Sequence, residues 1–185
     1  MIAEPLAIPD VVLLTPSRFL DARGFFSETW HEQRFAAAGI SGPFVQDNHA
    51  LSRDRGVLRG LHCQIGATAQ GKLVRVVRGA IWDVAVDIRR GSPNYGRHVG
   101  AVLSAENWQQ LWVPVGFLHG YCTLQTDTEV IYKVTAPYDK AAERGVIWND
   151  PALAIAWPIA PDEMLLSEKD MVLPRLADCP DWFPG

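Results

Sequence analysis

The sequence predicts a mostly-β domain, a β-sandwich or barrel, on three observations. Turn signals recur at short intervals, at Gly24, Gly39, Gly42, Pro43, Gly56, Gly66, Gly79, Gly91, Ser92, Pro93, Pro114, Gly116 and Pro137. Between them lie β-branched, aromatic and aliphatic runs of roughly 5–9 residues, the spacing of short strands. Several of these runs alternate with period two, and helix signals are scarce.

In chain order, the first clear element is helical. The stretch TWHEQRFAAA (29–38) stops at Gly39, a residue suited to a left-handed C-terminal cap. Farther on, Lys72, Val74 and Val76 share one strand face, so the Lys72 side chain should run with apolar neighbours and not into bulk water. The strand at 81–88 sets Trp82, Val84, Val86 and Ile88 on one face and Asp83, Ala85 and Asp87 on the other. The strand at 128–134 sets Val130, Tyr132 and Val134 against Glu129, Ile131 and Lys133. A short helical stretch at 167–171 opens on Ser167 as N-cap, with acids in its first turn. No repeat, linker or low-complexity segment interrupts the chain. The expectation is one domain, with an N-terminal arm over about 1–50, a β core over about 51–150 and a tail over about 151–185.

Composition narrows the function classes. The 185 residues suffice for one domain with a real core, and 48% hydrophobic with 21% charged residues is ordinary for a soluble globular protein. A net charge of −4 leaves no electrostatic footprint for nucleic acid. No apolar run is long enough for a membrane span, and the N-terminus lacks the basic start of a signal peptide. Cys63, Cys122 and Cys179 have neither zinc spacing nor a disulfide pattern, so they read as reduced thiols in a cytoplasmic protein. No GxGxxG or GxxxxGK[ST] is present, which argues against a Rossmann cofactor or a P-loop.

The residues with chemical reach are few. His62 and His119 sit in Gly-rich strand contexts, GLHCQ and FLHGY. A histidine among apolar neighbours is commonly a satisfied core residue, but His62 has Arg59 three residues before it and Lys72 on the next strand. Gln64 and Lys72 stand where further metal ligands might be sought. A lysine aimed into a pocket can hold negative charge developing on an oxygen, the task a Lewis-acid ion performs elsewhere. Tyr132 is either a core tyrosine or a phenol facing the same pocket. A base, a cation and a phenol together suit proton abstraction beside a carbonyl. Phe19, Arg23, Phe25, Phe26 and Glu28 cluster before the helix, with Gln46, Asp47 and Asn48 after it. They read either as a charged loop over aromatic packing or as a handle for phosphate and base.

Over nearly the whole chain, from about Arg18 to Asp170, the sequence resembles the dTDP-4-dehydrorhamnose 3,5-epimerases, nucleotide-sugar enzymes of the cupin (jelly-roll) fold. The segments that carry the resemblance include DARGFFSETW, FVQDNHALS, GVLRGLHCQ, QGKLVRVVRGAIWDVAVDIRRGSPNYG, WVPVGFLHGYCTL and VIYKVTAPYDKAAERGVIWNDP. The resemblance implies His62 as general base oriented by Asp170, Tyr132 as acid on the opposite face, and Lys72 as the cation beside the 4-keto oxygen. It also implies His119 as a sugar-site residue and Arg23 and Arg59 as a diphosphate clamp. Glu28, Gln46, Asp47 and Asn48 match nucleoside contacts, Tyr138 a thymine-stacking position, and Phe19 and Phe26 apolar walls. Glu143 and Lys169 match further ligand contacts. A homodimer needing neither metal nor redox cofactor is implied as well. Rival readings are a sister enzyme inverting C3 or C5 alone, a metal-dependent cupin, and a non-catalytic sugar-binding cupin.

Overall fold

Strand-forming runs and short turns alternate along the chain. The computed structural model, which describes residues 1–40 and 42–184, folds them into two antiparallel sheets. The first elements are β1 (Ile2–Pro5), β2 (Val12–Thr15), β3 (Phe19–Asp21), β4 (Gly24–Phe26), α1 (Glu32–Ala37) and β5 (Gln46–Ser52). The core strands are β6 (Leu58–Gln64), β7 (Lys72–Arg78), β8 (Ala80–Asp87), β9 (His98–Ser104) and β10 (Gln110–Val113). Then come β11 (Phe117–Thr123), β12 (Thr128–Val134), β13 (Glu143–Gly145) and α2 (Glu168–Met171). One sheet has the order β1-β2-β10-β7-β12-β5 and the other β13-β6-β11-β8-β9, while β3 and β4 form a separate hairpin.

The sheets face each other and bury Val74, Val76 and Val130 of the first against Ile81, Ala85, Phe117 and Tyr121 of the second. Each fully buried side chain of this size contributes about 1.5–3 kcal/mol. The outer face of the six-stranded sheet is covered in part by α1 and its flanks, where Phe35 and Ile40 pack on Leu14, Leu73 and Trp112. The outer face of the five-stranded sheet is covered by the tail, through Leu153 and Leu176.

Strand β8 shows why this matters for function. Its more apolar face, with Val84 and Val86 and with Ile88 just past its end, packs outward under the tail, and Ala85 packs between the sheets. Asp83, fully buried, shares that inner face. In a strand covered on both sides, parity tells which residues share a face but not which face is inside. The two short helices follow the expected signals with one shift. Helix α1 begins at Glu32, three residues after Thr29, whose carbonyl accepts a hydrogen bond from Gln110 Nε2 instead. The chain leaves α1 through Gly39 at φ +82°. Helix α2 is capped by Ser167, whose Oγ accepts from the Asp170 N–H at 3.2 Å.

Candidate active site

The site is built where β6 and β11 run side by side with almost no room between them. A Cβ on Gly60 would stand 2.6 Å from Gly120 Cα, so neither strand could carry a side chain there. This contact brings His62 directly opposite His119 in the strand register. Lys72, at the start of β7, and Tyr132, on β12, approach from the facing sheet. Together with Arg59, His62, His119, Tyr121 and Asp170 they line a cavity of about 500 Å³ between the sheets. A smaller recess of about 130 Å³ shares His62, Lys72 and Tyr132 and adds Gln46, Gln64, Tyr138 and Glu143.

Each histidine is held by a carboxylate. His62 Nε2 lies 2.7 Å from Asp170 Oδ1, and His119 Nε2 lies 2.6 Å from Asp83 Oδ1. Burial alone would raise the Asp170 carboxyl, but the bond and charge of His62, with help from Ser167 and the Gly60 N–H, hold it below its ordinary value. Asp170 therefore stays ionised and keeps the imidazole oriented. Short as it is, α2 presents Asp170 to His62 and Lys169 to Glu143, where an ion pair of 2.6 Å forms. Tyr138 O–H donates to the same Glu143 at 3.2 Å.

Lys72 is half-buried and donates to the His62 carbonyl at 3.5 Å. Burial pushes its ammonium below the ordinary lysine value, and Cys63, Asp83 and Glu143 pull it part of the way back. Burial raises the Tyr132 phenol, Glu143 adds to that and Arg59 opposes it, so Tyr132 is a protonated donor at neutral pH. Gln64 is occupied otherwise: its Nε2 donates to the Thr68 and Pro137 carbonyls and its Oε1 accepts from the Asp139 N–H. It ties down the loop that carries Tyr138 and does not point a free donor into the cavity. Among the described residues, no group of three or more His, Cys, Asp or Glu side chains is arranged to hold a metal ion.

The residues expected at the site divide into two sets. His62, Lys72, Tyr132, His119, Asp170, Arg59 and Lys169 line the main cavity, and Gln46, Asn48, Tyr138 and Glu143 line the recess. Asp47 departs from that expectation, because alternation turns it to the other face of β5. There it pairs with Lys133 at 2.8 Å. Phe19, Arg23, Phe26 and Glu28 also lie apart from both cavities within this chain. Phe19 and Phe26 stand exposed on the β3–β4 hairpin, Arg23 pairs with Asp21, and Glu28 pairs with Arg34. Sequence reasoning passed over Asp83 and Tyr121. Asp83 could have been noticed as an acid inside an apolar strand, but only the register of β8 against β11 reveals its partner.

A β-sandwich of the cupin type with two carboxylate-held histidines, a lysine and a tyrosine around one cavity defines an acid–base enzyme site. The family model for dTDP-4-dehydrorhamnose 3,5-epimerase matches residues 5–178, and the chain belongs to that family. A dTDP-4-dehydrorhamnose 3,5-epimerase of Pseudomonas aeruginosa is 52% identical over 185 residues, covering all of both chains. One from Sinorhizobium fredii is 51% identical, covering 99% of this chain and 93% of its own. Among solved structures, a dTDP-6-deoxy-D-glucose-3,5-epimerase from Legionella pneumophila in complex with dTDP-4-keto-L-rhamnose superposes with a TM-score of 0.94. It is 40% identical and covers 99% of this chain and 97% of its own.

Proposed function

We propose that this chain epimerises dTDP-4-dehydro-6-deoxy-D-glucose at C3 and C5, giving dTDP-4-dehydro-L-rhamnose for dTDP-rhamnose biosynthesis. The observation that carries the reading is the convergence of the His62–Asp170 pair, Lys72 and Tyr132 on one cavity. C3 and C5 both flank the 4-keto group, so their protons are the acidic ones. His62 takes the proton, and the electron pair of the broken C–H bond moves onto the carbonyl oxygen as an enolate. The Lys72 ammonium faces that oxygen, and Asp170 stabilises the imidazolium that forms. Tyr132 returns a proton to the opposite face, which inverts the centre. Each general acid–base step of this kind is worth roughly 10²–10⁴-fold. The net reaction moves protons only, so it calls for neither a nicotinamide nor a metal.

Arg59 holds the diphosphate, and Gln46, Asn48, Tyr138, Glu143 and Lys169 form the nucleoside side of the cleft. The remaining ligand-type residues fit a homodimer. The β3–β4 hairpin carries Phe19, Arg23 and Phe26 away from its own cavity and exposes Phe19, Leu20, Phe25 and Phe26. The hairpin of a second copy, with Glu28 beyond it, completes the cleft. The protein works in the cytoplasm, where Cys63, Cys122 and Cys179 remain free thiols.

The test is turnover in D₂O with the product read by NMR. Deuterium at both C3 and C5 is expected. Label at one carbon alone assigns the chain to the single-centre enzymes, and tight binding without exchange makes it a sugar-binding protein. Activity lost in chelator and restored by a divalent ion would replace Lys72 chemistry with metal chemistry.

A further inference from the structure

We propose that Tyr121 is a positioning residue of this active site, its hydroxyl joined through one buried water to Asp83 and so to His119. The inference rests on the epimerase reading of the cavity, but its first readout needs no substrate.

The observations come from two neighbouring strands. Tyr121 and Asp83 are direct Cα partners across β11 and β8, so their side chains rise from the same inner face. Tyr121 is 4% exposed and Asp83 0%. Neither the Tyr121 hydroxyl nor Asp83 Oδ2 has a hydrogen-bond partner among the described residues. An O–H that can donate and a carboxylate oxygen that can accept therefore lie buried on paired residues. Buried polar atoms of this kind are nearly always satisfied, commonly by an internal water with two or more polar partners.

The other oxygen of Asp83 already holds His119 Nε2 at 2.6 Å. Two residues from His119 along β11, the Tyr121 ring stands 6.2 Å from the imidazole, centroid to centroid. Burial raises the Tyr121 phenol; Arg59 opposes this, Tyr132 and Asp83 add to it, and the Ser52 hydroxyl lowers it slightly, so it remains a donor across the working pH range. A competing acceptor beside it is Ser52 Oγ, which already takes long bonds of 3.4 and 3.5 Å from Arg59. The carboxylate is the stronger acceptor.

The consequence falls on His119. A carboxylate that accepts a second hydrogen bond is a weaker base toward the imidazole, so Tyr121 sets how firmly Asp83 holds the ring proton and the ring's orientation. The charged and titratable groups that share the cavity with His119 or pair with it are Arg59 and His62 from β6, Lys72 from β7, Asp83 from β8, Tyr121 from β11, Tyr132 from β12, and Lys169 and Asp170 from α2.

Tyr121→Phe removes the hydroxyl and keeps the ring. In the ligand-free enzyme, the expected result is a displaced ¹⁵N resonance of the His119 imidazole, with Tm lowered by no more than the loss of one hydrogen bond. In turnover, kcat falls about fivefold to tenfold, the scale of one hydrogen bond, while KM for the dTDP-sugar stays within about twofold. Combined with Asp83→Asn, the losses overlap and do not multiply, because both variants interrupt one path. An unmoved His119 resonance overturns the proposal. So does a raised KM with kcat intact, which would route Tyr121 through Ser52 and Arg59 to the phosphates. If wild-type enzyme exchanges no substrate proton, the epimerase reading fails while the resonance shift still tests the Tyr121–Asp83–His119 link.

Discussion

The inner face of β6, β8 and β11 and the β3–β4 hairpin both carry polar residues suited to a nucleotide sugar, but they are held in opposite ways. His119 and Asp83, 7% and 0% exposed on strands packed on both sides, are fixed to each other by a short hydrogen bond, and Asp170, 4% exposed on α2, is held to His62 by another. On the hairpin, Phe19, Leu20 and Phe26 are 63%, 79% and 70% exposed, and among the described residues Arg23 pairs with its neighbour Asp21 alone. The difference separates two tasks. Proton transfer needs atoms held to fractions of an ångström, which a rigid sheet supplies. On the proposed reading, gripping a diphosphate and a base would tolerate a peripheral element whose final position is set by a second copy.

The largest test of the rigid half is His62→Ala. Solvent exchange at both C3 and C5 should fall by at least ~10²-fold, the worth of one general base, while dTDP binding stays nearly unchanged. Retained exchange at either carbon would mean a second base, and His119 is the one across the strand pair. Lys72→Met comes next, an expected loss of about 10²–10³-fold in enolisation with ligand affinity largely kept. A near-normal exchange rate would take Lys72 out of the chemistry.

Asp170→Asn sharpens the comparison with a pH signature. The folded carboxyl is depressed below its unfolded value, so its stabilising share is fully present above an unfolded pKa of about 3.9. That share is lost as pH falls through the lower folded value. The wild type should therefore exceed the variant in stability at neutral pH, and the gap should close under acid. A gap that stays constant down to the acid transition would mean the His62 pairing adds no stability. Turnover should fall about 10–10²-fold, since the imidazole loses its orientation and not its identity as a base.

How much of this was legible beforehand varies with the kind of fact. Turn spacing and alternation gave the β class, and the parity of Lys72 with Val74 and Val76 did put its side chain beside the apolar interior. Ser167 was readable as a cap because capping is local. The partnership of His119 with Asp83 was not readable, since it depends on how β11 registers against β8, a relation between residues 36 apart. Parity also did not reveal that the polar face of β8 points inward, because both faces of that strand are covered. The hairpin residues could be recognised by type and motif. Their distance from the chain's own cavity appears only in three dimensions.

The smallest expected effect belongs to the hairpin, and it separates the two halves most cleanly. Arg23 is fully exposed at its side-chain end, so Arg23→Ala should leave thermal unfolding where it was. If the hairpin of a second copy completes the cleft, the same substitution removes a charge-assisted contact to the diphosphate. KM should then rise about tenfold, with kcat within about twofold. Mixing Arg23→Ala chains with His62→Ala chains adds a geometric check. With substrate well below KM, where Arg23→Ala alone keeps about a tenth of wild-type activity, each mixed dimer then holds one cleft with both an intact base and an intact clamp and recovers toward half of wild type. If each hairpin instead serves its own chain, mixing recovers nothing, because every cleft with an intact His62 then carries its own Arg23→Ala. A KM unchanged in Arg23→Ala alone would remove the hairpin from substrate binding and leave the exposed Phe19, Leu20 and Phe26 as contact surface between copies.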